Sequence, residues 1–431
     1  GISAMTQIGQ LRVKFSARAR LWLALFIFFI IMGAGCPRAI AATISEPPPP
    51  YSPPYLPTQD LQVLQRFLPK ESNPEVRKMH ALQAKLAAHP HDLKTALALS
   101  QIYVTYGRGL GDAHYAGYAY STIAPWMREN PPPPKVLVMH ATILQYLHKF
   151  TAAQVELKEA LARDPSMANG WLTLAFTALV QGQYGEANHA CVQLTSSGGP
   201  FLGLICTATL RAYVGDARQS YAILKTDQGG GHEVPAAIKA WIQGLLAFSA
   251  QRLNKPKEVD LHYKKALSYL PDDNFLLVNY ADFLLDQHRP NAVIKLLNGH
   301  TTSDTAFLRL ALAEQAIHSP ALARYTWIMA ARFAALQMRG DHIYGREQAR
   351  FELYMEHDPE YALKLAVRNW TVQRAPKDVR VYLEAALAAH KPAAAKPVLD
   401  FLAKSKLQGS IINRLATETR AELHQQEVAQ K

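Results

Sequence analysis

From about residue 61 to the C-terminus, apolar residues recur at intervals of three and four, and Ala and Leu are abundant. This spacing places apolar side chains on one face of a helix. A strand that is buried on one side would instead alternate apolar and polar residues, and no clear run of that kind is present. The sequence therefore predicts an all-α chain.

The pattern also has a longer period. Three pairs of apolar landmarks stand 34 positions apart, namely Phe150 and Tyr184, Ala153 and Ala187, and Leu157 and Cys191. Self-similarity at a fixed period of 20 to 50 residues is typical of repeat proteins, in which each unit buries its apolar face against its neighbours. We therefore expect a solenoid of stacked helical units.

The stretch NGWLTLAFTALVQGQYGEANHACVQL, residues 169–194, resembles a tetratricopeptide repeat (TPR). That repeat is a 34-residue helix–turn–helix unit with the pattern W-x₂-L-G-x₂-Y, then A-x₃-F, then P. The matching residues are Trp171, Leu174, Ala175, Tyr184 and Ala187. The resemblance implies an all-α, TPR-like α-solenoid of antiparallel helix pairs wound into a right-handed superhelix. Small residues are needed where two helices cross closely, which explains Ala175 and Ala187.

The resemblance predicts one solenoid over residues 61–431, with about eight or nine helix pairs. Its best repeats are 134–167, 168–199, 240–273 and 274–300, and further units are expected at 92–130, 201–232, 304–338, 341–375 and 377–406. A terminal helix is expected near 409–424. The second helix of unit 304–338 is too long for the repeat pattern.

The N-terminus is predicted to be a targeting segment. Residues 1–41 contain five cations and no acid, and they include the apolar run LWLALFIFFIIM at 21–32. Twelve residues are too few to span a membrane but suit a signal peptide. Cleavage after Ala41 or Ala42, acylation at Cys36 and an uncleaved anchor all remain open. Each alternative exports the rest of the chain, to the periplasm or to a membrane surface facing it.

Residues 42–60 form a proline-rich linker that contains SEPPPPYSPPYLP. Seven prolines in that stretch fix φ and remove amide donors, so neither helix nor sheet can form there. We expect a semi-rigid polyproline II spacer of roughly 40 Å. Such a spacer would hold the solenoid away from a membrane.

The charge and the absence of catalytic motifs exclude several classes of function. The net charge of +12 falls to 12 − 5 = +7 without residues 1–41, and no basic run is interleaved with aromatic residues. We therefore expect no nucleic-acid partner. The chain has no HExxH, GxSxG, GxxxxGK or CxxC motif, and the His89–His91 pair alone is too small to hold a metal. We predict no catalytic residues, no metal and no cofactor.

TPR solenoids usually bind their partners on the concave surface, which is lined by the first helix of each unit. Carried over onto this sequence, the resemblance assigns Tyr146, Phe176, Leu179, Trp241, Phe248 and Arg252 to a partner-binding groove. Aromatic anchors beside arginine are typical of binding hot spots. The alternative is that some of these side chains pack between units.

Cys191 and Cys206 flank the short loop SSGGP between two predicted helices. In an exported protein a disulfide between them is permitted, provided that their Cα atoms lie within about 7 Å. The alternative is a pair of buried free thiols.

These features predict a non-enzymatic exported protein that binds a protein or peptide as an adaptor or assembly factor of the cell envelope. Two alternatives remain: an envelope enzyme built on a helical superhelix, and a structural subunit of a secretion or transport complex.

Overall fold

A computed structural model describes residues 74–110, 114–226, 234–338, 340, 344–407 and 409–429. These residues form twenty α-helices and one short 3₁₀ helix, and none of them lies in a strand. The prediction of an all-α chain is therefore confirmed. The expected targeting segment (1–41) and linker (42–60) lie outside the described residues.

The first eleven helices run from the N-terminal side through the middle of the chain. They are α1 (Pro74–Ala88), α2 (Leu93–Leu110), α3 (His114–Met127), α4 (Pro134–Tyr146), α5 (Phe150–Arg163), α6 (Ala168–Val180), α7 (Tyr184–Gly198), α8 (Pro200–Tyr213), α9 (Ala217–Thr226), α10 (Ala236–Arg252) and α11 (Pro256–Tyr269).

The remaining helices complete the chain. They are α12 (Asn274–Asp286), α13 (Pro290–Leu296), α14 (Asp304–Ala316), α15 (Leu322–Met338), α16 (Gly345–Tyr354), α17 (Pro359–Trp370), α18 (Pro376–Ala388), a 3₁₀ turn (Pro392–Ala395), α19 (Lys396–Ser405) and α20 (Ser410–Ala429). From α2 onward, consecutive helices pack as pairs, with α4 on α5, α6 on α7, α10 on α11 and α16 on α17 among them. This arrangement confirms the TPR-like α-solenoid.

In eight of the described helix pairs, the turn between the two helices follows one scheme. A residue with positive φ ends the first helix: His148, Gly182, Gly215, Asn254, His288, His318, His357 or His390. In most of these turns the next residue donates its backbone NH to the carbonyl oxygen five positions back, as Lys149 does to Leu144 and Lys391 to Ala386. That bond is part of a Schellman motif, which satisfies carbonyl groups left free at a helix end.

Unit 168–199, which matches the repeat best, shows why small residues are needed at certain positions. Ala175 and Ala187 are buried where α6 and α7 cross. A Cβ on Gly170 would stand 2.8 Å from the Leu161 side chain, so the preceding pair packs directly on this backbone. The Trp171 indole donates a 2.8 Å hydrogen bond to the carbonyl oxygen of Pro165. These contacts stack unit 168–199 on unit 134–167.

The core has two main parts. One runs without interruption from Leu137 on α4 to Ala313 on α14. The other is formed by α16 to α20 and extends from Ala349 to Ala416. Tyr213, at the end of α8, packs against both. The C-terminal helices α16 to α20, called the C-terminal body below, thus have a core of their own and contact the middle of the solenoid.

Candidate protein-binding groove

The predicted groove does not present an open aromatic face. Phe176 on α6 and Trp241 on α10 are 5% and 0% exposed, and their ring centroids lie 5.7 Å apart. Leu179 is also buried. The inner helices converge so closely that Phe176 and Trp241 pack on each other, although α8 lies between their helices in the sequence. The assignment of these three residues to an accessible surface is corrected to core packing.

The other three assigned residues are half-buried, and the structure does not bring all of them together. Tyr146 lies beneath the guanidinium of Arg108, which is 5.3 Å from its ring centroid. Phe248 lies against Tyr213 with ring centroids 5.1 Å apart. Arg252 donates to the backbone carbonyl groups of Ala212 and Tyr213. Phe248 and Arg252 thus lie together beside the end of α8.

The C-terminal body is docked against the solenoid beside these residues. The backbone NH of Arg374, before α18, donates a 2.7 Å hydrogen bond to the carbonyl oxygen of Val180 at the end of α6. The Phe401 ring on α19 lies 6.1 Å from the Tyr184 ring. A Cβ on Gly182 would stand 2.6 Å from that Phe401 ring. Close packing at this turn therefore requires glycine.

Asp282 on α12 is the centre of an ionic seam between the two bodies. It accepts hydrogen bonds from Arg350 at 2.9 Å and Lys377 at 2.7 Å, both on the C-terminal body. Burial would raise the pKa of Asp282, but Arg309, Arg350 and Lys377 outweigh it and hold that pKa well below its usual range. The carboxylate therefore stays ionised and links two distant parts of the chain.

Arg309 lies behind Asp282 and is completely buried. Its guanidinium bonds both oxygens of Asp282, at 2.9 and 3.0 Å, and also pairs with Glu347 on α16. Burial would raise the pKa of Glu347, but Arg309, Arg346 and Arg350 lower it to about 2. A buried guanidinium with two carboxylate partners is satisfied, whereas loss of either partner would leave charge uncompensated.

A second ionic contact continues the seam by one turn of α12. Arg380 on α18 donates two 2.8 Å hydrogen bonds to the carboxylate oxygens of Asp286. It donates a third, also of 2.8 Å, to Glu384 one turn further along α18. The bidentate geometry fixes the orientation of α18 against α12.

A cleft of about 120 Å³ lies between the two bodies. Phe248, Val381, Ile411 and Ile412 supply apolar surface, and the charged residues of the seam lie around them. Arg252 also lines the cleft, and its Nε is buried without a hydrogen-bond partner. Apolar surface beside fixed polar groups suits an inserted side chain of a partner.

Among the described residues, no group of three or more His, Cys, Asp or Glu side chains is placed to hold a metal ion. In that same part of the chain, no helix is both long and apolar enough to cross a bilayer. The apolar run at 21–32 and Cys36 lie outside it.

Cys191 and Cys206 form a disulfide in the structure, with their Cα atoms 5.4 Å apart. Cys191 lies in the middle of α7 and Cys206 in the first half of α8, and these helices pack together. The bridge thus links two neighbouring units.

The comparisons with known proteins concern the fold. No protein-family model matches the chain, and no curated protein matches it. Among solved structures, it is similar to yeast Tom70 with a TM-score of 0.37 and 10% identity, over 82% of this chain and 86% of that one. It is also similar to the TPR domain of P58(IPK), with a TM-score of 0.21 and 15% identity over 82% and 99% of the two chains. A third similarity is to the APC/C hetero-tetramer Cut9–Hcn1, with a TM-score of 0.28 and 13% identity over 81% and 89%.

The ionic seam is the part of the site that the sequence did not reveal. Asp282 and Asp286 lie on the first helix of unit 274–300, but nothing in a repeat pattern pairs them with Lys377 and Arg380, which lie about three units further on. Asp282 and Asp286 stand four apart on α12, and Lys377 and Arg380 stand three apart on α18. Complementary charges at helical spacing are the signal that could have suggested this pairing.

Proposed function

We propose that this chain is a non-enzymatic scaffold that binds a protein or peptide partner as an adaptor or assembly factor. The observation that carries the proposal is the cleft between α10, α12 and the C-terminal body. Its apolar surface includes the half-buried Phe248 and adjoins Arg252. Aromatic and arginine side chains in such a setting dominate binding energy at protein interfaces.

We further propose that the partner is met in the cell envelope. Two features support this setting. The cationic N-terminus with its apolar run at 21–32 has the layout of an export signal or a membrane anchor. The disulfide between Cys191 and Cys206 is of a kind that persists in oxidising compartments.

Site-specific photo-crosslinking in intact cells tests the binding role. A photoreactive residue replaces Ile411, which lines the cleft. In a second strain it replaces Leu261, which is exposed on α11 and does not line the cleft. We expect a discrete crosslinked protein from position 411 that is absent from position 261. Identical products from both positions, or none from position 411, would contradict the proposal.

The export proposal has a separate test. Intact-mass analysis of the protein from fractionated cells reports its N-terminus. We expect an envelope fraction in which the chain begins after Ala41 or Ala42, carries lipid on Cys36, or retains the full apolar segment. Recovery of the chain from the cytoplasmic fraction would contradict export and leave the binding role intact.

A further inference from the structure

Helix α15 has an outward face that is unusual for the surface of this protein. Its exposed residues are Ala323, Trp327, Ala331, Ala334, Gln337 and Met338. Trp327 is 50% exposed and Met338 is 89% exposed. The equivalent helix α11 presents charge instead, with Lys257, Lys264 and Lys265 among its exposed residues. An apolar outward face on a helix is expected where a further element covers it.

The apolar residues of this face lie on one stripe. The positions 323, 327, 331, 334 and 338 are separated by four, four, three and four residues, which keeps them on the same side of a helix. The inward side is occupied by Met329, Phe333 and Leu336, which are buried against α14 and α16. The stripe is therefore additional to the core-facing side, and within the described residues nothing covers it.

The cations of α15 do not interrupt the stripe. Arg332 turns back to its own unit, where it bonds Asp304 at 3.1 Å and the carbonyl oxygen of Thr301 at 2.8 Å. Its guanidinium also lies 4.4 Å from the centroid of the Phe307 ring. Arg324 lies at the edge of the stripe, one position after Ala323. The face is thus apolar along the length of the helix, about 25 Å for 17 residues.

The order of large and small residues along the stripe is self-complementary. In an antiparallel pair of identical helices, the residue numbers of each facing pair add up to the same sum, which is set by the position of the two-fold axis. With the two-fold axis between Ala330 and Ala331, that sum is 661, so Trp327 faces Ala334 and Met338 faces Ala323. Alanines meet at the centre, where helices approach closely, and each large side chain meets a small one.

We propose that the outward stripe of α15 is an isologous contact surface on which a second copy of this chain docks antiparallel. This goes beyond the proposed partner binding, because the stripe lies on α15 and does not line the cleft. The same register places Arg324 opposite Gln337, so no like charges meet. The surface buried between one pair of helices is smaller than the roughly 1,200 Å² that a stable interface buries. The dimer is therefore weak and is best detected by trapping.

Crosslinking of the full chain with a short bismaleimide tests the surface. In a Cys36→Ser background, Ala331→Cys places a thiol at the centre of the stripe, and Leu261→Cys places one on the charged face of α11 as the matched control. We expect at least tenfold more covalent dimer from Ala331→Cys than from Leu261→Cys. Adding Trp327→Ala to Ala331→Cys should lower the yield at least fivefold.

The register has its own test. Chains with Arg324→Cys and chains with Gln337→Cys, mixed before crosslinking, should give more dimer than either chain alone. Equal yields from position 331 and position 261 would overturn the proposal, and so would trapping of a different protein at position 331. Dimer at position 331 without a preference for the mixed pair would overturn the antiparallel arrangement.

Discussion

The backbone NH of Arg374 donates a 2.7 Å hydrogen bond to the carbonyl oxygen of Val180. Val180 ends the first helix of unit 168–199, and Arg374 precedes the helix of unit 377–406. The bond therefore joins the middle of the repeat array to its C-terminal end. Together with the pairs at Asp282 and Asp286, it shows that the C-terminal body packs back on the solenoid and forms one wall of the cleft.

Gly182→Ala should weaken the packing of the C-terminal body on the turn after α6, where Gly182 lies against Phe401. Gly182 has a φ of +71°, and an added Cβ would stand 2.6 Å from the Phe401 ring. We expect a loss of about 1–3 kcal/mol from the free energy of unfolding, measured by chemical denaturation. Gly185→Ala on α7 is the matched control, because no atom lies within 4 Å of its added Cβ. Equal stability of the two variants would contradict the packing of α19 on this turn.

Asp282→Asn should destabilise the protein strongly. The substitution removes the charge that compensates the buried Arg309 and weakens the bonds to Arg350 and Lys377. We expect a loss of about 3–5 kcal/mol in the free energy of unfolding. Glu418→Gln is the control, since its exposed i,i+4 pair with Arg414 contributes only about 0.5 kcal/mol. A loss below 1 kcal/mol for Asp282→Asn would show that the seam is not formed in solution.

Acid should destabilise the fold partly through His148. Burial, followed by repulsion from Arg346 and Arg108, lowers the pKa of His148 from 6.5 to about 3. The unfolded chain therefore binds more protons between these two pKa values. The contribution of neutral His148 to stability is fully present above pH 6.5 and is lost as the pH falls towards 3. We expect a lower Tm at about pH 5 than at about pH 7.5, with a smaller difference in His148→Asn.

His390→Asn is the control for the pH experiment. His390 occupies the same turn position with a φ of 53°, but its side chain is 84% exposed. Asparagine tolerates this backbone conformation at both sites, so the two substitutions impose similar strain. An identical pH dependence of Tm in His148→Asn and His390→Asn would contradict the effect of burial and of Arg346 and Arg108 on His148.

The disulfide predicts a specific pattern of thiol reactivity. After alkylation without reduction, mass spectrometry should find neither Cys191 nor Cys206 modified, and reduction should add two alkyl groups. The bridge closes a span of 15 residues, so reduction should cost about 2–4 kcal/mol of stability. Alkylation of both thiols without reduction would instead show two free cysteines and would remove one support for export.

The fold class was predictable because the spacing of apolar residues along the chain determines it. The period of three and four specifies helices, and the 34-residue period of Phe150 and Tyr184 specifies stacked pairs. The recurring turn could have been read as well, since His288, His318, His357 and His390 are each followed two positions later by proline. Histidine tolerates the left-handed conformation, and proline suits the first position of the next helix.

The groove was less predictable, for a physical reason. Helical spacing shows that Phe176 and Trp241 each lie on an inner stripe, but it does not show how closely successive helices converge. That curvature arises from packing between many units, and here it brings the two rings together and buries them. Likewise, the pairing of Asp282 with Lys377 is a long-range contact that no local pattern specifies.

Binding to the protein captured by crosslinking at position 411 tests the central claim most directly. The dissociation constant for that protein is compared between wild type, Phe248→Ala and the control Leu261→Ala, each verified as folded by circular dichroism. We expect Phe248→Ala to weaken binding by about 1–3 kcal/mol, or roughly 5- to 150-fold, and Leu261→Ala to leave it unchanged. Equal dissociation constants for all three proteins would contradict the assignment of the cleft as the partner-binding site.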